Sequence, residues 1–249
     1  MQQSNSALKP IVLQEKVCLI VPCFNEAARL DVQKFLDADP LLFYIFVDDG
    51  SSDQTSQIIK KHVSGRLTLV QLEKNQGKAE AVRQGMLHFL KDESFQGIRW
   101  AGFWDADLAT PLSQVAIFLQ YKNFYRAPIA IWGSRVYRLG GKILRSRLRH
   151  ILGRVFATVI GILFKVESYD TQCGSKIFRR DIISQAFHRP FISKWIFDVE
   201  ILLALKGEEV IECPVAYWED IKGSKLKIFP SLFKVMGDII AIRRRYGKY

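Results

Sequence analysis

Residues 17–26 read VCLIVPCFNE, a short apolar run that stops at a proline and is followed by polar side chains. A continuous apolar run of this length is typical of a strand that is buried on both faces of a parallel sheet. Pro22 ends the run, and Asn25 and Glu26 stand just beyond it. This stretch therefore predicts the first strand of an α/β fold.

Similar apolar runs recur through the first half of the chain, and stretches of helical periodicity separate the first four of them. Repeated strand–helix units imply an open, mainly parallel sheet with helices on both faces. The predicted strands are 17–21, 42–47, 67–72, 98–104 and 129–132, and the predicted helices are 26–38, 53–63 (capped by Ser52 or Asp53) and 78–90.

Polar clusters follow four of these strands at the point where each strand ends. Because the carboxyl ends of parallel strands meet at one edge of the sheet, where ligands bind in open α/β folds, we expect the clusters to lie together. Any single cluster is equally consistent with a turn or a helix cap. The clusters are Asn25-Glu26, Asp48-Asp49, Asp105-x-Asp107 and Ser134-Arg135.

The chemistry of these clusters suits a nucleotide and a divalent cation. Asp105 and Asp107 stand two residues apart, and paired carboxylates suit Mg²⁺ or Mn²⁺ that shares its coordination with a diphosphate. Asp49 has the acceptor oxygens for a ribose hydroxyl or a base N–H, and Gly50 allows close backbone approach. Lys78 opens a predicted helix, where it would favour a phosphate; alternatively, the glycine before it only serves the turn.

Several familiar nucleotide and hydrolase patterns are missing from the sequence. No G-x-G-x-x-G follows the first strand, which disfavours a dinucleotide-binding Rossmann site. Neither the G-x-x-x-x-G-K-[ST] of a P-loop nor the G-x-S-x-G of an α/β-hydrolase is present.

An ordered set of motifs carries a resemblance to a known family. The first-half motifs are Val21-Pro22-Cys23-Phe24-Asn25-Glu26, Val47-Asp48-Asp49-Gly50-Ser51-x-Asp53-x-Thr55, Asn75-x-Gly77-Lys78 and Asp105-Ala106-Asp107. The second-half motifs are Gly133-Ser134-Arg135, Asp170-Thr171-Gln172-Cys173-Gly174-x-Lys176-x-Phe178, Trp195-x-Phe197-Asp198-x-Glu200 and Gly223-Ser224-Lys225. Over about residues 16–228 the chain resembles the inverting family 2 glycosyltransferases of GT-A fold, and within them the dolichyl-phosphate glucosyltransferase and mannosyltransferase branch.

The resemblance implies a nucleotide-sugar donor, UDP-glucose before GDP-mannose, and a polyprenyl or dolichyl phosphate acceptor. Asp49 would contact the base or ribose, and Arg135 would meet the donor phosphates or the acceptor phosphate. The metal and the diphosphate would lie at Asp105, Ala106 and Asp107, with the two aspartates as the Mg²⁺ or Mn²⁺ ligands. The nucleotide pocket would be lined by Pro22, Phe24, Asn25 and Glu26.

The carboxylate nearest the reaction centre is predicted to be Asp170, with Asp198 as the alternative. A phosphate acceptor is already largely ionised near neutral pH, since its second pKa is about 6, so a general base is less essential than positive charge around it. Either aspartate would alternatively orient a cation or a sugar hydroxyl. The candidates to neutralise the acceptor phosphate are Lys176, Arg179, Arg180 and Lys225.

The net charge of +11 lies wholly in residues 134–249, because Lys/Arg and Asp/Glu are equal in number in residues 1–133. This asymmetry suggests an anionic partner for the second half. Apolar residues recur there at helical spacing between residues 144 and 163, with Arg145, Arg147, Arg149 and Arg154 among them. Such a basic amphipathic helix suits the surface of an anionic membrane, and residues 228–242 form a second candidate. The recurring apolar residues are Leu144, Leu148, Ile151, Leu152, Val155, Val159, Ile162 and Leu163.

Residues 1–15 are predicted to be a polar tail, residues 16–228 the GT-A domain and residues 229–249 a basic amphipathic segment. We find no signal peptide and no apolar run near the roughly 20 residues that span a bilayer. Scattered cysteines favour a reducing compartment, so we expect a cytoplasmic protein bound peripherally to the cytoplasmic membrane face.

Other interpretations of the same residues stay open. The two amphipathic stretches are also compatible with ordinary helices on the sheet or with an oligomer contact. A transferase acting on a saccharide or glycolipid hydroxyl would share the first-half motifs. A nucleic-acid-binding protein is suggested by charge alone, but no recognised nucleic-acid motif accompanies it, so nucleic acid is not an expected partner.

Overall fold

The computed structural model describes residues 11–220 and 232–247, and its centre is a seven-stranded sheet in the order β3-β2-β1-β4-β7-β5-β8. The strands of this sheet are β1 (Val17–Cys23), β2 (Leu42–Asp48), β3 (Leu67–Gln71), β4 (Trp100–Trp104), β5 (Ala130–Ser134), β7 (Ser175–Arg179) and β8 (Val210–Pro214). A second, two-stranded sheet pairs β6 (Lys142–Leu144) with β9 (Tyr217–Glu219) in parallel.

Eight α-helices surround these sheets in the part of the chain that the structure describes. They are α1 (Val32–Leu36), α2 (Thr55–Lys60), α3 (Lys78–Lys91), α4 (Gln114–Tyr121), α5 (Arg147–Phe164), α6 (Arg180–Phe187), α7 (Phe197–Ala204) and α8 (Leu232–Tyr246). Among the described residues, none of these helices has the length and apolar character needed to cross a membrane.

The large sheet is mainly parallel, as the sequence predicts. β7 alone runs against its neighbours: it pairs antiparallel with both β4 and β5, while β5 and β8 are parallel. Because β7 is reversed, its first residue, Ser175, lies opposite Trp104 at the carboxyl end of β4. The loop that precedes β7 is thereby delivered to the same edge as the polar clusters.

The core forms on both faces of the sheet because successive side chains of a buried strand point to opposite sides. In β1, Leu19 and Val21 pack with one apolar cluster, which includes residues of α1 and α4. Cys18 and Ile20 pack with the other, which includes residues of α3 and α6. A third, smaller cluster joins α5, α7 and α8 away from the sheet.

The helix predicted over residues 26–38 is much shorter in the structure, where α1 spans only Val32–Leu36. Asn25 adopts the left-handed conformation with φ 51°, and Asp31 caps α1 by accepting from the backbone N–H of Lys34. The intervening residues form a turn rather than a helix because their polar groups bind a neighbouring loop. The helix predicted over 53–63 is likewise reduced to Thr55–Lys60; Gln54 directly before it makes no side-chain cap, but Asp53 Oδ1 accepts from the backbone N–H of Thr55 at 2.9 Å.

Candidate active site

The loops after β1 and β2 are held together by hydrogen bonds at the carboxyl edge of the sheet. The backbone N–H of Asn25 donates to Ser51 Oγ at 2.9 Å, and the N–H of Ser52 donates to Asn25 Oδ1 at 2.7 Å. The N–H of Glu26 donates to Thr55 Oγ1 at 2.7 Å. The polar residues after these two strands therefore build one rigid rim.

Glu26 connects this rim to the Asp105-Ala106-Asp107 loop through an arginine that lies outside the predicted site residues. The Glu26 carboxylate forms an ion pair with Arg29, and Nη1 of Arg29 lies 3.7 Å from Oδ2 of Asp107. Pro22 and Phe24, the other predicted nucleotide contacts, lie beside the rim, and Phe24 is partly exposed. The structure thus brings the predicted nucleotide and metal residues into one place.

Asp49 organises the loop that leads into α3. Its two carboxylate oxygens accept from the backbone N–H groups of Gln76 at 2.7 Å and Gly77 at 2.8 Å. Burial raises the pKa of Asp49, and these two hydrogen bonds oppose that rise. Each oxygen retains a lone pair, so the predicted contact with a base or ribose stays a prediction.

Glycine is required at position 50 by the protein backbone, and not by the approach of a ligand that the sequence predicts. Its φ is 66°, and a Cβ there would lie 2.6 Å from the Cα of Lys74. The chain segment that approaches Gly50 closely is therefore the backbone of the loop before α3.

Lys78, the first residue of α3, forms an ion pair with Asp105. This contact ties the Asn75-x-Gly77-Lys78 motif to the Asp105-Ala106-Asp107 motif. Gly77 before it has a φ of 97°, and a Cβ there would come within 3.0 Å of the side chain of Lys194. Gly77 therefore serves the turn, and Lys78 brings a positive charge to the paired carboxylates.

The Asp105–Asp107 pair fits a divalent cation by its charge and its donor atoms. Burial raises the pKa of Asp107, and the negative charge of Asp105 raises it further. A dication would relieve this repulsion, and carboxylate oxygens are the ligands that Mg²⁺ and Mn²⁺ favour. No cluster of three or more His, Cys, Asp or Glu suited to a metal occurs in residues 11–220 and 232–247. Water or substrate oxygens would complete the coordination of a cation held by these two carboxylates.

The loop before β7 packs directly on this carboxylate pair. A Cβ added at Gly174 would collide with the side-chain carboxylate of Asp105, so only glycine permits the contact. This approach brings the Asp170-Thr171-Gln172-Cys173-Gly174 motif against the predicted metal ligands.

Arg135 and Asp170 form a bidentate ion pair beside that loop, with 11% of each side chain exposed. Nε of Arg135 donates to Asp170 Oδ2 at 2.6 Å, and Nη2 donates to Oδ1 at 2.8 Å. Burial alone would raise the pKa of Asp170, but the charge and hydrogen bonds of Arg135 outweigh it and hold the pKa well below its usual range. Asp170 is therefore a poor proton acceptor and a strong anchor for Arg135.

Further basic side chains surround this ion pair and line a small cavity with it. Arg154 stacks on the ring of Tyr169 with 3.7 Å from the guanidinium carbon to the ring centroid, and it donates to the Tyr169 carbonyl. Burial lowers the pKa of Arg145, and the charge of Arg135 lowers it further. The cavity is lined by Arg135, Arg145, His150, Gly153, Arg154, Tyr169 and Asp170.

Asp198, the second predicted catalytic carboxylate, lies near the start of α7 and is paired with Lys176. Oδ1 of Asp198 lies 2.7 Å from Nζ of Lys176. Burial raises the pKa of Asp198, and the charges of Lys176 and Lys78 oppose that rise. Lys176 itself is 0% exposed. The expectation that Lys176 meets the acceptor phosphate is therefore wrong, because its ammonium is enclosed by protein.

Two other candidates for the acceptor phosphate lie far from this edge. Because β7 runs antiparallel, its last residue, Arg179, is paired with Trp100 at the opposite edge of the sheet. Arg180 donates to the carbonyls of Phe95 and Leu90 there. The expectation for Arg179 and Arg180 is wrong for this topological reason. Lys225 lies outside the described residues.

Helix α5 exposes six of the eight apolar side chains of the predicted amphipathic stretch, and between 38% (Leu152) and 75% (Ile162) of each of these six residues is accessible to solvent. Of the other two, Leu144 lies before the helix in β6, and Leu163 is partly buried against the third apolar cluster. The opposite side of the helix buries Ala157, Ile160 and Phe164. The exposed apolar stripe of α5 consists of Leu148, Ile151, Leu152, Val155, Val159 and Ile162.

The sequence predicts that the arginines of this stretch accompany its apolar face, but most of them lie elsewhere in the structure. Arg145 and Arg154 line the cavity, and Arg149 forms an ion pair with Asp220. Arg147 is exposed. Two of the four arginines are therefore turned toward the Arg135–Asp170 pair.

Helix α8 contains the described part of the second amphipathic candidate. Its Ile239 and Ile242 are buried in the third apolar cluster, whereas Met236 and Ile240 are about half exposed. Arg245 of α8 donates to the Pro190 carbonyl at 3.0 Å. The tail predicted over residues 1–15 lies outside the described residues up to residue 10.

Sequence reasoning missed the cavity-forming roles of Arg145, His150 and Arg154, as well as Arg29. Arg29 follows Glu26 by three residues, a spacing that brings side chains together in a turn or helix. No comparable local signal marks the cavity, because its residues come from segments that only the fold brings together.

Comparisons with known proteins place this chain among glycosyltransferases. The family model described as Glycosyl transferase family 2 matches residues 18–187. The dolichyl-phosphate beta-glucosyltransferase of Dictyostelium discoideum is 34% identical over 92% of this chain and 74% of its own length. The human dolichyl-phosphate beta-glucosyltransferase is 32% identical over 93% of this chain and 76% of its own length.

Solved structures of similar fold include the glucosyl-3-phosphoglycerate synthase of Mycobacterium tuberculosis in complex with UDP. It has a TM-score of 0.61 and 14% identity, and the match covers 92% of this chain and 80% of that one. The complex of the same enzyme with Mn²⁺, UDP-glucose and phosphoglyceric acid gives a TM-score of 0.60 at 15% identity, over 94% and 80% of the two chains. At this identity the likeness concerns the fold, and it confirms the predicted GT-A architecture.

Proposed function

This chain belongs to glycosyl transferase family 2 and is a glycosyltransferase, and we propose that it transfers glucose from UDP-glucose to a dolichyl or other polyprenyl phosphate. The observation that carries the proposal is the contact between Gly174 and Asp105. It joins the carboxylate edge, suited to a nucleotide-sugar, to the basic cavity beside Asp170, suited to a phosphate. Similarity to dolichyl-phosphate beta-glucosyltransferases over more than nine-tenths of the chain supports the same substrates.

The donor binds at the carboxylate edge in this proposal. Asp49 and the α3 entry loop hold the nucleoside side, with Pro22, Phe24, Asn25 and Glu26 along the rim. Asp105 and Asp107 hold a divalent cation, Mg²⁺ or Mn²⁺, that neutralises charge on the diphosphate when bound. Complexes of a similar fold with Mn²⁺ and UDP-glucose support this choice of ligand. Lys78 and Arg29 already balance the two carboxylates, and both are long enough to shift toward a phosphate.

The acceptor phosphate binds at the basic side chains that line the cavity; the cavity itself has a volume of about 10 Å³, enough for one water molecule, so these side chains move apart to admit the phosphate. Arg135, Arg145 and Arg154 supply guanidinium groups, which suit the bidentate recognition of phosphate oxygens. Burial and the nearby charges of Arg145 and Arg154 lower the pKa of His150, so its ring is neutral at pH 7 and still offers a hydrogen bond. The bidentate contact with Asp170 fixes the plane of Arg135, which makes Asp170 an orienting group.

The reaction needs little proton chemistry from the protein. An oxygen of the ionised acceptor phosphate attacks the anomeric carbon, and the bond from that carbon to the diphosphate oxygen breaks on the opposite face. The nucleoside diphosphate leaves with the electron pair, and the configuration inverts. The residues contribute position and positive charge, which are the larger contributions where the nucleophile is already an anion.

The lipid chain of the acceptor requires that the site lie close to a bilayer. We place the exposed apolar stripe of α5 in the membrane interface, at the cytoplasmic face and next to the cavity that the same helix lines. A side chain such as Ile151 or Val155, more than half exposed in water, gains free energy on entering the acyl boundary. The basic second half adds attraction to anionic lipid.

A matrix of donors and acceptors tests this function. Purified protein with Mn²⁺ is mixed with labelled UDP-glucose, GDP-mannose or dTDP-glucose, and with dolichyl phosphate, undecaprenyl phosphate or an oligosaccharide. We expect label in the organic phase from UDP-glucose with a polyprenyl phosphate, and none when EDTA is in excess. Transfer to the oligosaccharide alone would overturn the acceptor assignment, and full turnover in EDTA would overturn the metal assignment.

A further inference from the structure

Lys176 is a fully buried lysine on the central strand β7, and it is not among the residues proposed to bind the donor or the acceptor. Its side chain projects between Phe103 of β4 and Trp132 of β5, with Nζ 5.2 Å and 4.7 Å from the two ring centroids. Burying an ammonium costs free energy unless it is paired and hydrogen-bonded. A pair of apolar residues would fill this space at no such cost, so the charge needs another explanation.

The ammonium contacts two groups that belong to different halves of the site. It donates a hydrogen bond to the carbonyl of Cys173, in the loop before β7. It also forms the 2.7 Å ion pair with Asp198 of α7. The register places it one residue below the edge of the sheet, because its neighbour Ser175 lies opposite Trp104, the residue before Asp105.

The loop of residues 170–174, which Lys176 contacts, lies between the proposed donor site and the proposed acceptor site. Glu212 accepts the backbone N–H groups of Tyr169 and Asp170 at 2.9 and 3.0 Å and anchors the start of the loop. Lys176 anchors its end at Cys173, one residue before Gly174, which packs on Asp105. A shift of Cys173 would therefore move both the Asp105 contact and the partner of Arg135.

We propose that Lys176 is a positioning residue whose ammonium fixes the 170–174 loop and Asp198 relative to each other, and thereby aligns the acceptor phosphate with the donor sugar. This inference rests on the proposed function for its kinetic readout. It assigns to Lys176 no contact with substrate and no proton transfer. Misplacement by about 1 Å of a reacting group costs on the order of 100-fold in rate, which sets the size of the expected effect.

A double-mutant cycle tests the proposal with Lys176→Met, Asp198→Asn and the two combined. We expect kcat to fall roughly 100-fold in Lys176→Met, with the KM for donor and acceptor within about three-fold of wild type. If the two residues act as a unit, the double variant falls no further than the worse single variant. The proposal would be overturned if the loss of kcat in the double variant equalled the product of the two single losses, or if the acceptor KM rose at unchanged kcat.

A second measurement keeps the test independent of activity. Hydrogen exchange of the amides in residues 171–175 should be about ten-fold faster in Lys176→Met, and should stay fast in the double variant. The melting temperature should recover in the double variant, because the unpaired buried carboxylate is gone. If kcat recovered in the double variant together with the melting temperature, the role of Lys176 would be purely structural. If hydrogen exchange were unchanged in Lys176→Met, the proposed contact with the loop would be refuted.

Lys122→Met is the matched control. Lys122 also pairs with an acid, Glu15, and its Nζ lies 5.1 Å from the ring centroid of Trp100, but it lies away from the site. We expect its kcat and its exchange over residues 171–175 to equal wild type. If the wild type itself transfers no sugar, the proposed function fails, while the exchange result still decides the role of Lys176.

Discussion

The carboxylate edge of the sheet and the outer face of α5 handle charge and apolar surface in opposite ways. At the edge, Asp105 and Asp107 face Lys78 and Arg29, and the neighbouring Trp104 is fully buried. On α5, Arg154 turns toward Asp170 and Arg149 pairs with Asp220, whereas the apolar residues of the stripe are exposed to solvent. A protein rarely leaves a contiguous apolar stripe in water without a partner for it. This difference supports our proposals that the first region binds a charged ligand and that the second contacts an apolar environment.

The largest effect is expected where the carboxylate edge is broken. Asp107→Ala removes one of the two carboxylates proposed for the metal and the diphosphate, and should lower kcat by roughly 1,000-fold. The fold should persist, because burial and the charge of Asp105 already disfavour ionised Asp107. Labelled transfer from UDP-glucose to dolichyl phosphate measures the rate, and circular dichroism the fold.

Asp181→Ala provides the matched control for that substitution. Asp181 is an exposed aspartate paired with Arg179 at the opposite edge of the sheet. Its removal should leave transfer within about two-fold of wild type, since exposed ion pairs contribute little. Equal losses in the two variants would mean that the carboxylate edge is not the chemical centre.

The Arg135–Asp170 pair lies between the two regions, and its removal should be the largest stability effect. Asp170→Ala leaves the guanidinium of Arg135 buried without its partner, which costs about 3 kcal/mol. For a chain of this size the melting temperature should fall by roughly 6–12 °C. Asp31→Ala, at an exposed helix cap, should cost about 1 kcal/mol or less.

The difference in stability between wild type and Asp170→Ala should depend on pH, because the pKa of Asp170 is lowered in the folded protein. The unfolded carboxyl has a pKa of about 3.9, so the pair stabilises the fold fully above about pH 5. The stabilisation is lost as the pH falls through the lower pKa of the folded state. The melting temperatures of wild type and Asp170→Ala should therefore converge in acid, and a constant difference down to about pH 2 would contradict the assignment.

Charged residues placed in the apolar stripe of α5 should weaken its binding to a membrane. Ile151→Asp with Val155→Asp should weaken binding to anionic vesicles about 30-fold, from roughly 1 kcal/mol of lost burial at each position. Both residues are more than half exposed, so the fold should tolerate the change. Val63→Asp with Phe124→Asp, at exposed apolar sites elsewhere, should sediment with vesicles like wild type. Equal sedimentation of both double variants would remove α5 from the interface.

The two regions also differ in how far sequence alone predicts them. The carboxylate edge was predictable because strand direction determines which loops meet, so Asp49, Asp105 and Arg135 could be grouped by their places directly after predicted strands. The reversal of β7 could not be predicted from its apolar pattern, which is the same in either direction, and this reversal misplaced Arg179 and Arg180. Lys176 follows the Asp-Thr-Gln-Cys-Gly motif closely, but a strand pattern does not tell which face of the sheet buries a lysine.

Helical periodicity likewise has a physical limit on α5. It correctly groups Leu148, Ile151 and Val155 on one side, because a spacing of three or four residues returns to the same face. It does not say whether that face packs on the protein or meets solvent. The direction of Arg145 and Arg154 depends on Asp170 and Tyr169, which come from a different part of the chain. That part of the site could only be found once the fold had brought the segments together.

The smallest effect is expected for a single exposed arginine of α5, and it tests whether that arginine contributes to membrane binding. Arg147 is exposed, so near an anionic surface it should contribute about 1 kcal/mol, and Arg147→Gln should weaken vesicle binding about five-fold at low salt. The difference should shrink at about 1 M salt, where screening acts within a few ångströms. Arg179→Gln, which removes the same charge at the far edge of the sheet, should leave binding within about two-fold of wild type. If Arg179→Gln weakened binding as much as Arg147→Gln, the attraction would belong to the net charge of the whole chain and not to the face of α5. In that case the apolar stripe would set the depth of contact, and the orientation that brings the cavity to the lipid phosphate would need a different source.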